Sequence, residues 1–276
     1  MRQLRLIGVV GLAVAALTVE AAPAPALTIN SSGQALEKIW LRPNLQCQVR
    51  RAGWAALAFR QGGGSAYNGA CATFVATKAT TETYGPMLPG ATFPAMAVPK
   101  PYAPLGPQTA TNSGGNKCVE SVVRAGPGTN NNSFKVTQRD CYHPPANFYT
   151  TAIDVKSLNS TPRTITVYHA GDCVVRNGTF GFGFFNALNG GIFCKKFPGA
   201  SLAPPAIGFI PSPPTATRYL EAKRAAFWPR VNGAPFFNNT CACGTSVDNV
   251  AGLSATVTVG ASATVSGKFR TRFLGP

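Results

Sequence analysis

The sequence predicts an all-β fold, an antiparallel β-sandwich stapled by disulfides, formed either as one large sandwich or as a small N-terminal β unit packed on a larger C-terminal sandwich. Three observations carry the prediction. Gly (29) and Pro (23) are plentiful while charged residues make up only 12% of the 276, so turns are frequent and amphipathic helices scarce. Val, Thr and Phe recur in short alternating runs, the period of a pleated strand. The eight cysteines are even in number and supply four staples.

Residues 1–26 have the layout of a secretory signal peptide: Arg2 and Arg5, an apolar run from Leu6 to Val19, then the small-residue segment "AAPAPA", with cleavage after Ala21 or Ala26. That run is too short to span a bilayer and no later stretch approaches the length, so the reading is an exported chain with no membrane span, secreted or held at the cell surface. Residues 27–84 form the N-terminal β unit, with strands at "LTINSS", "EKIWL", "LQCQV", "WAALAF" and "CATFVAT". Residues 85–116, dense in Pro and Gly, read as an extended connection. Residues 117–276 form the C-terminal β-sandwich, with longer strands at "CVESVVR", "SFKVTQRDC", "FYTTAIDVKS" and "RTITVYHA". The one expected helix is "RYLEAKRAAFW", ended by Pro229. The last two strands, "LSATVTV" and "SATVSGKFRTRF", read as a hairpin, with Val265, Gly267, Phe269, Thr271 and Phe273 on one face and Lys268, Arg270 and Arg272 on the other.

The strip "VYHAGDCVVRNGTFGFGFFNALNGGIFC", residues 167 to 194, holds the greatest density of chemically versatile side chains. Asn177-Gly178 signals a two-residue hairpin, because both central positions of a type I′ turn need positive φ; "ITVYHAGDCVVR" should therefore pair with "TFGFGFF", and "ALNGG" should turn the chain into "IFCKKF". Phe180, Phe182 and Phe184 share one face and should enter the core, leaving a bare face at Gly181 and Gly183 for a close approach. In this register Cys173 and Cys194 flank the middle strand at about 9.5 Å, beyond the ~7 Å reach of a disulfide unless the chain leaves the sheet near Gly171. Cys241 and Cys243 then become their partners, with Cys47 bonded to Cys71 and Cys118 to Cys141. Zinc is disfavoured, because "CAC" is the only close cysteine pair and no Cys-x-x-Cys or His-x-x-x-His accompanies it. No metal and no cofactor is expected.

Setting aside Arg2, Arg5 and Glu20 leaves 23 basic and 8 acidic residues, a balance that favours anionic partners such as acidic polysaccharide. Nucleic acid does not suit an exported chain. The cations are dispersed except at "CKK" (195–196) and "KFRTR" (268–272). His169 and Asp172 could form an acid/base pair, but three residues apart on a strand they face opposite ways, and His143 sits in a proline-stiffened loop. Asp154, Asp172, Glu221 and Asp248 are the carboxylates open to glycosidase chemistry in the C-terminal half, and no serine elbow, P-loop or zinc-protease motif occurs. "SVDNVAG" could offer calcium oxygens from Asp248 and Asn249, a pattern more often a turn.

Five sequons, at Asn30, Asn131, Asn159, Asn177 and Asn238, are candidate glycosylation sites. The segment Leu27, Thr28, Ile29, Asn30, Ser31 and Ser32 lies ahead of the first cysteine and behind a Pro-Ala hinge, so it could add to a neighbour's sheet edge as an assembly strand; pairing within its own sheet is the competing reading.

At "YHAGDC", "FGFGF", "CAC" and "VDNVAGLS", continued by "LNGGIFC" and preceded by "LRPNLQCQV", "GACATFV" and "YGPM", the chain resembles a group of exported, largely uncharacterised β-rich surface proteins, mostly bacterial. The resemblance covers most of the mature chain through short motifs. It implies a surface or secreted structural protein and transfers no catalytic residue. Val250 stands where the group generally has glycine, and this chain is basic where the group tends to be acidic. A fainter likeness to subunits of glycan-coated extracellular fibrils rests on the sequons, the sandwich and the N-terminal strand.

The resulting expectation is a non-enzymatic, glycosylated structural subunit of an extracellular or cell-surface assembly, self-associating as a homo-oligomer or a filament linked by strand addition. The alternative is a secreted carbohydrate-binding module for anionic or wall polysaccharide, using aromatics such as Trp54, Tyr67, Tyr102 or Trp228. A third reading is a hydrolase with its acid from Asp172 or Asp248.

Overall fold

Alternation of apolar and polar side chains writes two sheets, and the structure, a computed structural model, describes residues 25–62, 68–77, 82–89, 91, 98–127, 132–212, 217–231 and 236–275 of them. The signal-peptide segment lies outside the described residues up to position 24. The first sheet contains β1 (Leu27–Asn30), β2 (Leu36–Leu41), β3 (Gln46–Arg51), β4 (Cys71–Thr77) and β5 (Glu82–Tyr84), joined by the later strands β11 (Arg163–Asp172), β15 (Thr217–Lys223), β16 (Thr240–Cys241) and β17 (Val247–Val259). Its order is β1-β2-β3-β4-β11-β17-β15-β16, with β5 also on β4; every pairing is antiparallel except β15 with β16. Strands from residues 27–84 thus share one sheet with strands from the C-terminal half, and the chain is a single sandwich.

The second sheet contains β6 (Ala103–Pro104), β7 (Thr109–Ser113), β8 (Asn116–Ala125), β9 (Phe134–Tyr142), β10 (Phe148–Ser157), β12 (Phe180–Asn186), β13 (Gly191–Lys195), β14 (Ala206–Pro211) and β18 (Thr264–Leu274). Its order is β7-β8-β9-β10-β18-β14-β13-β12, with β6 also on β8. A short bridge, Phe180 opposite Asp248 and Gly181 opposite Val247, joins the sheets at one side. Between them lies the main core, in which Phe59 packs on Phe209 and Phe273, and Tyr149 stacks on Phe273.

A second core covers the outside of the first sheet. Helix α1 (Arg224–Val231) buries Phe227, Trp228 and Val231 against Phe74, Tyr168, Phe237 and Val250. The expected helix over "RYLEAKRAAFW" begins late, because residues 217 to 223 are drawn into a strand by their ladder with β17, and Pro229 lies inside the helix instead of ending it. With only eight residues the helix has few internal bonds for a proline to break.

Three hairpin expectations meet different outcomes. "ALNGG" turns β12 into β13 as predicted, from Phe182 opposite Lys195 to Asn186 opposite Gly191. The turn at Asn177 is displaced by one residue: Arg176 and Asn177 carry the positive φ values, 43° and 68°, and Val175 pairs with Gly178 in one isolated bridge. Beyond it β11 runs with β4 and β17 and does not pair with β12. The last two strands part company, β17 to the first sheet and β18 to the second, so the connection 260–263 crosses between sheets instead of closing a hairpin. The alternation read for β18 holds, with Phe269, Thr271 and Phe273 buried.

Candidate functional site

The outer face of the second sheet assembles the basic residues that the sequence scatters. Cross-strand register puts Arg139 of β9, Ala152 of β10 and Lys268 of β18 in one row, with Glu120 of β8 beside Arg139. The next row runs Cys118, Cys141, Thr150, Arg270, and Phe148 stands opposite Arg272. On the other side, Arg124, Lys135 and Lys156 align. Apart from the buried Cys118, these side chains belong to the half-exposed or exposed positions of strands whose alternate residues fill the core.

Seven cations therefore share a face with two carboxylates, Glu120 and Asp154, and Asp154 accepts a hydrogen bond from Ser266 Oγ at 2.5 Å. Among the described residues the ion pairs involve Arg60, Lys100 and Arg224, none of them on this face. Nε of Arg124, Arg270 and Arg272 has no hydrogen-bond partner. A groove of about 360 Å³ on this face is lined by Arg139, Lys268, Thr111, Ser113, Asn116, Thr150 and the Cys118–Cys141 disulfide. Beside it the Arg270 guanidinium lies over the Phe148 ring, 4.4 Å from its centroid. "KFRTR" was legible as part of this face. Arg139, Lys135 and Phe148 were missed, although the period-2 spacing of "FKVTQRDC" puts Lys135, Thr137 and Arg139 on one side.

The other predicted residues lie apart from it. His169 is fully buried between the sheets, stacked on Phe269, with Nδ1 3.0 Å from Thr73 Oγ1 and Nε2 3.4 Å from Thr271 Oγ1. Burial pushes its pKa down to about 4. Asp172 faces the other side of β11, where Arg60 Nε donates to it at 2.9 Å while the same guanidinium donates to Asp248 at 2.6 Å. Burial lifts Asp172 to about 7 against the pull of Arg60. His169 and Asp172 do not meet. Asp248 and Asn249 sit within β17 rather than in a cation-binding turn, and among the described residues no group of three His, Cys, Asp or Glu is placed to hold a metal. "CKK" is split, Lys195 being buried with Nζ on the carbonyls of Gly199 and Ser201.

The strip around "FGFGF" is inverted relative to the expectation. Phe180, Phe182 and Phe184 point outward, with Phe180 63% exposed, and the glycine face turns in. The reason is lateral: the position a Cβ of Gly183 would take is 1.9 Å from Glu221 Oε2 and 2.5 Å from Cys241 Sγ, and that of Gly181 is 2.4 Å from the Lys195 carbonyl. Glu221 is 1% exposed; its Oε2 accepts the Ala242 N–H at 2.6 Å while Oε1 has no partner, and burial lifts its pKa to about 7.

The disulfides are Cys47–Cys71, Cys118–Cys141, Cys173–Cys194 and Cys241–Cys243. The first two match the expectation. The crossed pairing of Cys173 and Cys194 with Cys241 and Cys243 is corrected, because β11 runs in the first sheet and β13 in the second instead of flanking β12 together, and Cys173, just past the end of β11, faces Cys194 across the sandwich with Cα atoms 6.4 Å apart. Of the sequons, Asn30, Asn177 and Asn238 are exposed and Asn131 lies outside the described residues. Asn159 is withdrawn as a glycan site: it is 1% exposed, with Nδ2 donating to the Ser133 carbonyl and Ser157 Oγ. The proposed sugar platforms Trp54, Tyr102 and Trp228 are buried, and Tyr67 lies outside the described residues. The assembly strand Leu27–Asn30 is paired within its own chain, residue for residue with β2, and Ser31 and Ser32 follow in the turn.

Fold and face together define a disulfide-stapled β-sandwich with one cationic sheet surface. No protein-family model and no curated protein matches the chain. Among solved structures it is similar to a mutant form of the heparan sulfate lyase HepC of Pedobacter heparinus, at 7% identity and TM-score 0.49, over 92% of this chain and 36% of the lyase. The chain thus spans about a third of that protein. It is also similar to a galactose mutarotase related enzyme of Lactobacillus acidophilus, at 7% identity and TM-score 0.43 over 91% of this chain and 97% of that one, and to an Escherichia coli K12 protein assigned as an aldose 1-epimerase, at 12% and 0.44 over 90% and 100%. At these values the likeness carries no residue and no activity across. The expectations of a structural subunit and of a non-enzyme are nonetheless corrected, since these neighbours bear the names of sugar-processing enzymes and the strand meant to link subunits is already paired at home.

Proposed function

We propose that the protein acts outside the cytoplasm and binds an anionic polysaccharide along the outer face of the second sheet. The observation that supports it is the gathering of seven cations from β8, β9, β10 and β18 on one sheet face, two of them, Arg139 and Lys268, lining a groove with Thr111, Ser113 and Thr150, and none of the seven in an ion pair among the described residues. Like charges in excess on one sheet face repel one another; an anionic chain laid across them relieves the repulsion and supplies hydrogen-bond acceptors. Arg270 over Phe148 adds an amphipathic ledge for a sugar ring beside its charged group. Four disulfides fit an exported setting.

The test compares dextran sulfate with neutral dextran by calorimetry. Binding to dextran sulfate alone is expected, weakening as salt rises, and Arg139→Ser with Lys268→Ser and Arg270→Ser should lower affinity at least about tenfold, a loss of ~1.4 kcal/mol. Replacing Arg50 and Arg176, exposed cations elsewhere, should leave it within about twofold. Equal binding of both polymers, or equal loss in the two variants, overturns the reading.

A further inference from the structure

The Cys241–Cys243 bond differs from the other three in place and in purpose. It joins cysteines two positions apart, whereas the others span separations of 21 to 24. A ring this small removes little freedom from the unfolded chain, so the bond contributes little to holding the fold. It is also the most accessible of the four: Cys243 is exposed, whereas Cys47, Cys71, Cys118, Cys173 and Cys194 are buried and Cys141 is half-buried in the wall of the groove.

Against this pair the fold has placed a carboxyl that no other role explains. Glu221 reaches the peptide between the two cysteines, Oε2 accepting the Ala242 N–H at 2.6 Å, while the Glu221 carbonyl accepts the same N–H at 3.1 Å. The position a Cβ of Gly183 would take is 1.9 Å from Oε2 and 2.5 Å from Cys241 Sγ, so the carboxyl and the sulfur fill the space beside the glycine and lie next to one another. Oε1 is buried without a partner, and the Arg60 and Lys100 ion pairs lie elsewhere. A lone buried carboxyl beside a partly exposed sulfur is placed for proton transfer rather than for stability.

We infer that the Cys241–Cys243 bond is an exchangeable disulfide that accepts two electrons from an external dithiol, with Glu221 delivering the proton to Cys241. A thiolate of the dithiol attacks the exposed Cys243 sulfur; a mixed disulfide forms, the Cys241–Cys243 bond breaks and Cys241 leaves as thiolate. The Glu221 carboxyl protonates that thiolate, which stops it from closing back onto Cys243. The second thiolate of the dithiol then attacks the dithiol's own sulfur in the mixed disulfide, closing a new disulfide there and releasing Cys243 as thiolate. The dithiol is oxidised, the cysteine pair is reduced, and Glu221 regains its proton from solvent. This inference does not depend on polysaccharide binding.

Dithiothreitol serves as the probe, applied to the folded full chain, with alkylation by iodoacetamide and mass mapping of each cysteine. Cys241 and Cys243 should label at a dithiothreitol concentration at least about tenfold below that needed for the other six, with circular dichroism unchanged. Simultaneous opening of all four bonds overturns the inference. In the Glu221→Gln protein, whose amide oxygen can still accept from Ala242, labelling of the pair should slow about tenfold or more, and Glu221→Asp should fall between. An unchanged rate in both removes Glu221 from the reaction. Replacing both cysteines by serine should abolish the rapid phase of dithiothreitol consumption, and its persistence would place the reactive bond elsewhere.

Discussion

Gly183 shows how much one missing methyl group decides. Its hydrogen faces the Glu221 carboxyl and the Cys241 sulfur, so Gly183→Ala must push a buried carboxyl, a disulfide or β12 itself out of place. The expected loss is about 1–3 kcal/mol in urea unfolding. Gly267 supplies the control, because a Cβ there meets nothing within 4 Å and φ is not positive; Gly267→Ala should stay neutral or gain up to about 1 kcal/mol. Equal losses at the two positions would mean that the packing inside β12 is not what holds the glycine. The same contacts explain why the phenylalanines of "FGFGF" face outward: only the side without side chains can lie against Glu221, Asn249 and the Lys195 backbone.

Among the elements, α1 stands out as the sole helix of the described residues and as the lid of the second core. Trp228 is fully buried there, its ring 6.1 Å from that of Phe74 and 5.2 Å from that of Phe227. Trp228→Ala is expected to cost about 3–5 kcal/mol, visible as a lower denaturation midpoint. A change under about 1 kcal/mol would indicate that the helix is dispensable to the sheet beneath it. The residues ahead of it, 217 to 223, alternate poorly and contain Leu, Glu, Ala and Lys, all good helix formers; the strand forms because β17 offers a complete ladder from Ala255 to Asn249. Local propensity lost to long-range pairing, which no window of sequence displays.

For the whole molecule, the interior titratable groups set the response to pH. Burial holds Asp140 at about 6 and Asp172 and Glu221 at about 7, so each keeps its proton to higher pH folded than unfolded. Their stabilisation is full below the ordinary carboxyl range near pH ~4 and is lost as pH rises through the folded values. His169 acts in the opposite sense: held at about 4, it contributes above pH ~6.5 and loses that contribution as pH falls toward the folded value. Three carboxyls outweigh one imidazole, so unfolding free energy should decline between about pH 4.5 and pH 7. A series of urea midpoints checks this, and a midpoint that rises across the same interval would show the carboxyls to be ionised inside the fold.

The all-β class, the sandwich and the alternation of β18 were all readable from composition and period-2 patterning, because burial on one face of a strand leaves its mark in the strand itself. Two disulfides were readable for a related reason: Cys47 with Cys71 and Cys118 with Cys141 join strands that neighbour each other in both sequence and space. Sequence alone also marked Lys268, Arg270 and Arg272 as one face. It could not bring Arg139, Lys135 and Arg124 beside them, nor send β17 and β18 to opposite sheets, nor set Glu221 against Cys241. Those outcomes depend on which strands pair, and strand pairing is chosen by burial of the whole core and by register between segments far apart in the chain, such as Phe148 with Arg272 and Arg163 with Val259. The basic surface is therefore legible strand by strand, and becomes a site only when the sheet is assembled.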